Sequence, residues 1–157
     1  MSAATILGAT LPHLYLVFFP VAFFVWWRTM RRARLEHRAL SSSFVLWGEL
    51  LFWYAGFGLL IVGITHAYFH GTYDLGWAEI ALAFAALFAR QQHYGYRLAI
   101  TIPLVIWSFA VAIGHVTHVV EMHSFTTKHA GLLLWFNDIV FPLVLVWTAY
   151  ASRDEAR

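Results

Sequence analysis

The sequence contains no cysteine. Disulfides, Fe–S clusters, thiolate metal sites and covalently attached c-type haem are therefore excluded. Charge is scarce as well. Asp, Glu, Lys and Arg make up 11% of the 157 residues, against roughly 25% in soluble domains. The formal net charge is only +2, so the basic residues read as topology signals and no nucleic-acid partner is expected. Met1 to Thr10 carries no basic n-region, so no cleavable signal peptide is predicted there. There is no internal repeat and no low-complexity stretch. What is abundant is apolar: 61% of residues are hydrophobic and 18% aromatic. A soluble domain of this size cannot hide that much apolar surface, whereas lipid can replace the missing interior.

The apolar residues fall into five runs: Leu11 to Trp27, Phe44 to Phe69, Leu75 to Ala89, Leu98 to Val120 and Ala130 to Ala151. A spanning helix needs ~20 such residues. The third run is short unless Thr72 and Tyr73 extend it. Charge decides the count. If all five runs span, nine of the ten basic residues share one side: Arg28, Arg31, Arg32, Arg34, Arg38, Arg90, Arg97, Arg153 and Arg157. Only Lys128 falls on the other. That is the positive-inside pattern. A four-span reading, with the third run on the surface and the first loop inside, would put Arg90, Arg97, Arg153 and Arg157 outside. The expectation is one domain, residues 1–157, all-α: a polytopic membrane helical bundle of five transmembrane helices. These are predicted at about 11–27, 44–69, 73–89, 98–120 and 130–151. The N-terminus is outside and the C-terminus cytoplasmic, in the inner membrane of a prokaryote. Trp26, Trp27, Trp47 and Trp147 fall near the inner boundary, and Trp77 and Trp135 near the outer one, as an aromatic belt requires. Lipid is the first partner implied; a second copy or a larger membrane complex is the other. Gly56, Gly58 and Gly63 on the second run permit close helix approach. Arg28 to Arg38 reads as a helical cytoplasmic extension near anionic lipid.

Ionisable residues inside a membrane are costly and mark candidate sites. On this topology seven of nine histidines lie in the outer half: His13, His66, His70, His115, His118, His123 and His129. Only His37 and His93 lie inside. At 1.5 Å per residue, His66 and Glu79 fall ~6 Å, His115 ~10 Å and Asp138 ~12 Å from the outer boundary. Four helices thus bring two imidazoles and two carboxylates to one level. His66 and His70 share a helix face at i, i+4, and His115 and His118 share one at i, i+3. His13, His37, His93, His123 and His129 need no more than an interfacial role. Glu49, near the inner end of the second helix, reads as a structural partner of Arg90 or Arg97.

Four readings compete for the outer group. Each histidine is ordinary helix-to-helix glue. Or His66, Glu79, His115 and Asp138 ligate a transition metal (zinc, iron or copper), since mixed His/carboxylate shells suit these ions. Neither a paired Glu-x-x-His nor a His-Glu-x-x-His is present, so a diiron oxidase and a zincin protease are not indicated. Or His66 or His70 faces His115 or His118 across a b-type haem, with His70 and His118 the weaker, cofactor-side candidates. Or the His, Asp and Glu residues pair without metal as a proton or quinone site. Metal binding is the leading expectation, within a redox or transport assembly. A haem-binding electron-transfer protein and a non-catalytic accessory subunit follow. No catalytic residue is assigned.

Short motifs carry a resemblance. Gly63-Ile64-Thr65-His66-Ala67-Tyr68-Phe69, Trp77-Ala78-Glu79, Ala112-Ile113-Gly114-His115 and Ala130-Gly131 followed by Asp138 and Pro142 resemble an uncharacterised prokaryotic multi-pass membrane-protein family, a domain of unknown function. The likeness runs from Phe44 to Tyr150, about two thirds of the chain. It departs at His129, where the family has Asn, and at Glu79-Ile80-Ala81, where it has Glu-Val-Gly. It points to His66, Glu79, His115 and Asp138 and implies no established activity.

Overall fold

A computed structural model of the chain describes residues 15–69, 71–123 and 134–156. Among the described residues there are five helices and no strand. A 3₁₀ turn, Tyr15–Val17, leads into α1 (Phe18–Leu35). Then follow α2 (Ser42–Phe69), α3 (Tyr73–Ala89) and α4 (Tyr94–Met122). In α5 a π-helical stretch, Leu134–Val140, continues as Phe141–Ala151.

The first helix runs on past its apolar stretch, in line with the helical extension expected there. It does not stop at Trp27 but carries Arg28, Arg31, Arg32 and Arg34 to Leu35. Arginine is a good helix former, so the loss of apolarity does not end a helix. The stop is geometric. His37 takes a left-handed conformation (φ 52°), His37 N–H donates to Arg34 O, and Arg38 N–H to Ala33 O. That is a Schellman closure with histidine where glycine is usual. Pro20 lies in the first turn, where its missing N–H costs nothing. The fourth helix is likewise longer than its apolar run, beginning at Tyr94 and reaching Met122. Ser41 starts α2 by accepting Phe44 N–H at 3.4 Å. The chain reverses into α3 around Gly71 (φ 70°), where Thr72 N–H caps His66 O at 3.2 Å.

The helices alternate in direction, and contacts at one end prove it. Trp26 Nε1–H donates to Ser42 O at 3.0 Å, and Ser43 Oγ–H to Ala151 O at 3.1 Å. Arg90 grips Glu49 at 2.9 Å. Arg97 donates to Phe44 O, to Ala89 O at 3.1 Å and to Gln92 O at 3.0 Å, with its guanidinium 3.7 Å from the Phe44 ring centroid. The C-termini of α1, α3 and α5 and the N-termini of α2 and α4 therefore meet. Arg28, Arg90, Arg97 and Arg153 gather at that end. Glu49 pairs with Arg90, one of the two partners the sequence allowed.

Helix α2 is the centre. Trp47, Leu50, Leu51, Tyr54 and Ala55 are buried and meet Ala22, Ala86, Leu104, Phe141 and Leu145 from the other four helices. Trp47 Nε1–H reaches Thr101 Oγ1 at 2.9 Å, so the buried indole is satisfied. Against α3 the contact is backbone to backbone. A Cβ on Gly63 would lie 2.8 Å from Gly76 O, and one on Gly76 would lie 2.6 Å from Gly63 O. Small residues allow this approach, as in packed membrane helices. Helices α2 and α4 are long and apolar enough to cross a membrane. For α4, only 17% of its most apolar stretch is buried; Ile102, Ile106, Ile113, Val116 and Val120 line its outward side.

Candidate functional site

The arginine-free end carries the ionisable residues that the sequence singled out. Counting from the Trp47–Thr101 contact, His66 lies ~28 Å up α2 and His115 ~21 Å up α4, so both occupy the same half. The structure brings the four residues together as two pairs. His66 Nδ1 lies 2.6 Å from Glu79 Oε2, across the α2–α3 crossing that Gly63 and Gly76 close. His115 Nε2 lies 4.0 Å from Asp138 Oδ2, between α4 and α5. Among the described residues no group of three or more His, Asp or Glu stands close enough to hold one ion.

The pairs share a design. Each has a deeply buried carboxylate, 5% exposed for Glu79 and 6% for Asp138. Each carboxylate stands behind a partly exposed imidazole, 30% for His66 and 27% for His115. A carboxylate in such a place must be protonated or face a counter-charge, because an isolated buried charge is prohibitively costly. The imidazole can supply either one. In the first pair the contact is short enough for a shared proton, and its donor is whichever partner carries that proton.

Asp138 has further support. Asn137 Nδ2–H donates to Asp138 Oδ1 at 2.6 Å, and Tyr54 O–H donates to Asn137 Oδ1 at 3.1 Å. Tyr54 lies in the π-helical part of α2 (Leu50–Gly58), and Asn137 and Asp138 in that of α5. The α5 irregularity has a covalent reason. Pro142 has no N–H to give to the carbonyl of Asp138, so the α-helical ladder fails at the turn that carries Asp138. Sequence reading missed both Tyr54 and Asn137. Asn137 left a signal, a second polar residue beside Asp138 in an apolar run. Tyr54 left none, since a tyrosine within an apolar helix is ordinary.

The remaining candidates are placed or lie outside. His118, half-buried on α4, sits nearly one turn beyond His115. Glu121 and His123 are exposed at the end of α4. His70 lies outside the described residues, as do His13, His129 and Lys128. Every buried side-chain nitrogen and oxygen among the described residues has a hydrogen-bond partner.

An antiparallel all-α bundle with paired imidazoles and carboxylates at one end and arginines at the other defines the class. Residues 12–157 match the family described as "Family of unknown function (DUF6790)", and the chain belongs to that family. The match contains the whole of the stretch on which the resemblance rested. No curated protein and no solved structure matches the chain.

Proposed function

We propose that the chain is a five-span protein of the prokaryotic inner membrane, N-terminus outside and C-terminus cytoplasmic, whose outer half carries a proton-handling site. Three features support the membrane reading. Nine of ten basic residues fall on one side of a five-span topology. The described arginine-bearing helix ends meet at one end of the bundle. The outward side of α4 is a stripe of isoleucine and valine, which suits acyl chains.

One observation carries the site reading: Glu79, almost fully buried, lies 2.6 Å from the Nδ1 of a partly exposed His66. Two bases at that distance hold one proton between them, and taking up a second changes the charge of a buried site by one unit. The imidazole is the accessible partner through which the proton exchanges, and the carboxylate is the store behind it. His115 and Asp138 form a looser pair one helix pair further on, 4.0 Å apart, with Asn137 and Tyr54 fixing the carboxylate. Such a site fits a subunit of a redox or transport assembly in which charge movement is coupled to protons.

The test uses detergent-purified protein: elemental analysis, an absorption spectrum, and infrared spectra of the carboxyl bands across pH. The proton reading expects a carboxyl band that titrates and disappears in Glu79→Gln, with sub-stoichiometric metal and no Soret band. Stoichiometric zinc, iron or copper that falls in Asp138→Asn would replace it with the shared-metal reading. A Soret band would replace it with b-type haem. Carboxyl bands unchanged across pH would leave a packing role in an accessory subunit.

A further inference from the structure

The outward side of α1 changes character abruptly along a single ridge. Val17, Phe24 and Trp27 are exposed and apolar. One residue later Arg28 takes over, followed on the same ridge by Arg31, Arg32 and Leu35, with Arg34 beside them. Positions 28, 31, 32 and 35 follow the i, i+3, i+4, i+7 spacing of a single helix face. Ala33, on the opposite side, is fully buried, which fixes the rotation of the helix and turns the arginines outward. The segment from Arg28 to Arg38 holds five arginines and one glutamate. Glu36 engages Arg32 at 3.4 Å and Arg38 at 2.8 Å. Among the described residues no carboxylate pairs with Arg28, Arg31 or Arg34. Arg31 lies 5.7 Å from the Trp27 ring centroid.

We propose that this ridge binds the headgroups of acidic glycerophospholipids, an inference that rests on the membrane reading above. The guanidinium fork matches phosphate oxygens and is the standard partner for them. A free phosphate would find the same arginines. It would gain nothing from Phe24 and Trp27 just above. A phospholipid uses the apolar surface as well: acyl chains on Phe24 and Trp27 and the phosphate on Arg28 and Arg31. The helix continues past its apolar run for eight residues, Arg28 to Leu35, or ~12 Å. That is deep enough to cross the headgroup layer. A positive-inside signal alone needs the charges on this side but not a shared helical face.

Native mass spectrometry of the detergent-purified protein, titrated with phosphatidylglycerol and separately with phosphatidylcholine, tests this. Each arginine near an anionic surface is worth about fivefold in affinity. The triple substitution Arg28→Gln/Arg31→Gln/Arg34→Gln is expected to cut the preference for phosphatidylglycerol at least tenfold. The triple Arg→Lys variant, which keeps the charge but loses the fork, is expected to retain only part of it. Arg153→Gln, at the same end just past α5, is expected to change it less than twofold. Equal binding of the two lipids by the wild type would overturn the proposal. So would a preference that survives the glutamine triple while circular dichroism shows it folded, or one lost equally in Arg153→Gln. Competition by millimolar inorganic phosphate or glycerophosphate would assign the ridge to soluble phosphates instead. Protein that leaves the cell in aqueous buffer without detergent would refute the membrane reading itself, a result separate from any lipid preference.

Discussion

Gly76→Ala adds one methyl group at the place where α2 and α3 come closest. The new Cβ would stand 2.6 Å from Gly63 O, 2.7 Å from Ala67 Cβ, and in contact with Ala67 N. Two of these are backbone atoms and none is the end of a flexible side chain, so the helices themselves must move. Ordinary contact needs about 3.5–4.0 Å, so the two axes must part by roughly 1 Å. Overpacking of this kind costs about 1–3 kcal/mol. The same movement stretches the 2.6 Å His66–Glu79 contact. A charge-assisted hydrogen bond contributes about 1.5–3 kcal/mol. Against this stands the gain of about 1 kcal/mol from replacing glycine by alanine in a helix. The net expectation is a loss of about 1.5–5 kcal/mol. Gly114→Ala on α4 is the internal control. Nothing lies within 4 Å of its would-be Cβ, so only the helix-propensity gain remains, up to about 1 kcal/mol of stabilisation. Denaturant titration in detergent micelles, followed by circular dichroism, measures both. If Gly76→Ala is as stable as the wild type while Gly114→Ala behaves as expected, the close α2–α3 crossing does not exist in the folded protein.

Two further expectations concern the arginine end. A reporter fused after Arg157 should read cytoplasmic and one inserted after Lys128 should read outside; an outside reading at the C-terminus would show that one of the five helices does not span. Arg97, 4% exposed, ties the start of α2 to the α3–α4 connection. Arg97→Lys keeps the charge but loses the fork and the stacking on Phe44, so a loss of about 2–3 kcal/mol in the same titration is expected. An unchanged midpoint would mean that the guanidinium contacts contribute nothing.

The five helices were legible as apolar runs because each run is long and bounded by charged or polar residues. Their ends were less legible. Trp27 marks the end of apolarity in α1, but the helix ends eight residues later, where His37 turns left-handed. Hydropathy reports the surroundings of a helix, whereas its termination depends on backbone geometry and capping. The same distinction applies to α4, whose first turn holds the buried Arg97.

His66, Glu79, His115 and Asp138 were each identifiable from sequence, since an ionisable residue in an apolar run is conspicuous and depth follows from counting. Their partnership was not. Counting fixes the height of a residue along its helix but not the direction it faces. That direction is set by how the helices rotate and pack, here by glycines 63 and 76 meeting face to face and by Pro142 breaking the ladder of α5. Tertiary packing therefore decided that His66 belongs with Glu79 and His115 with Asp138, and it recruited Tyr54 and Asn137, which composition could not distinguish from their neighbours. The sequence by itself determined an all-α chain with its arginines at one end and Glu79 and Asp138 in the other half, because hydropathy and charge act along one dimension. Which carboxylate faces which imidazole depends on azimuth about the helix axis, a coordinate that exists only once the helices are packed together.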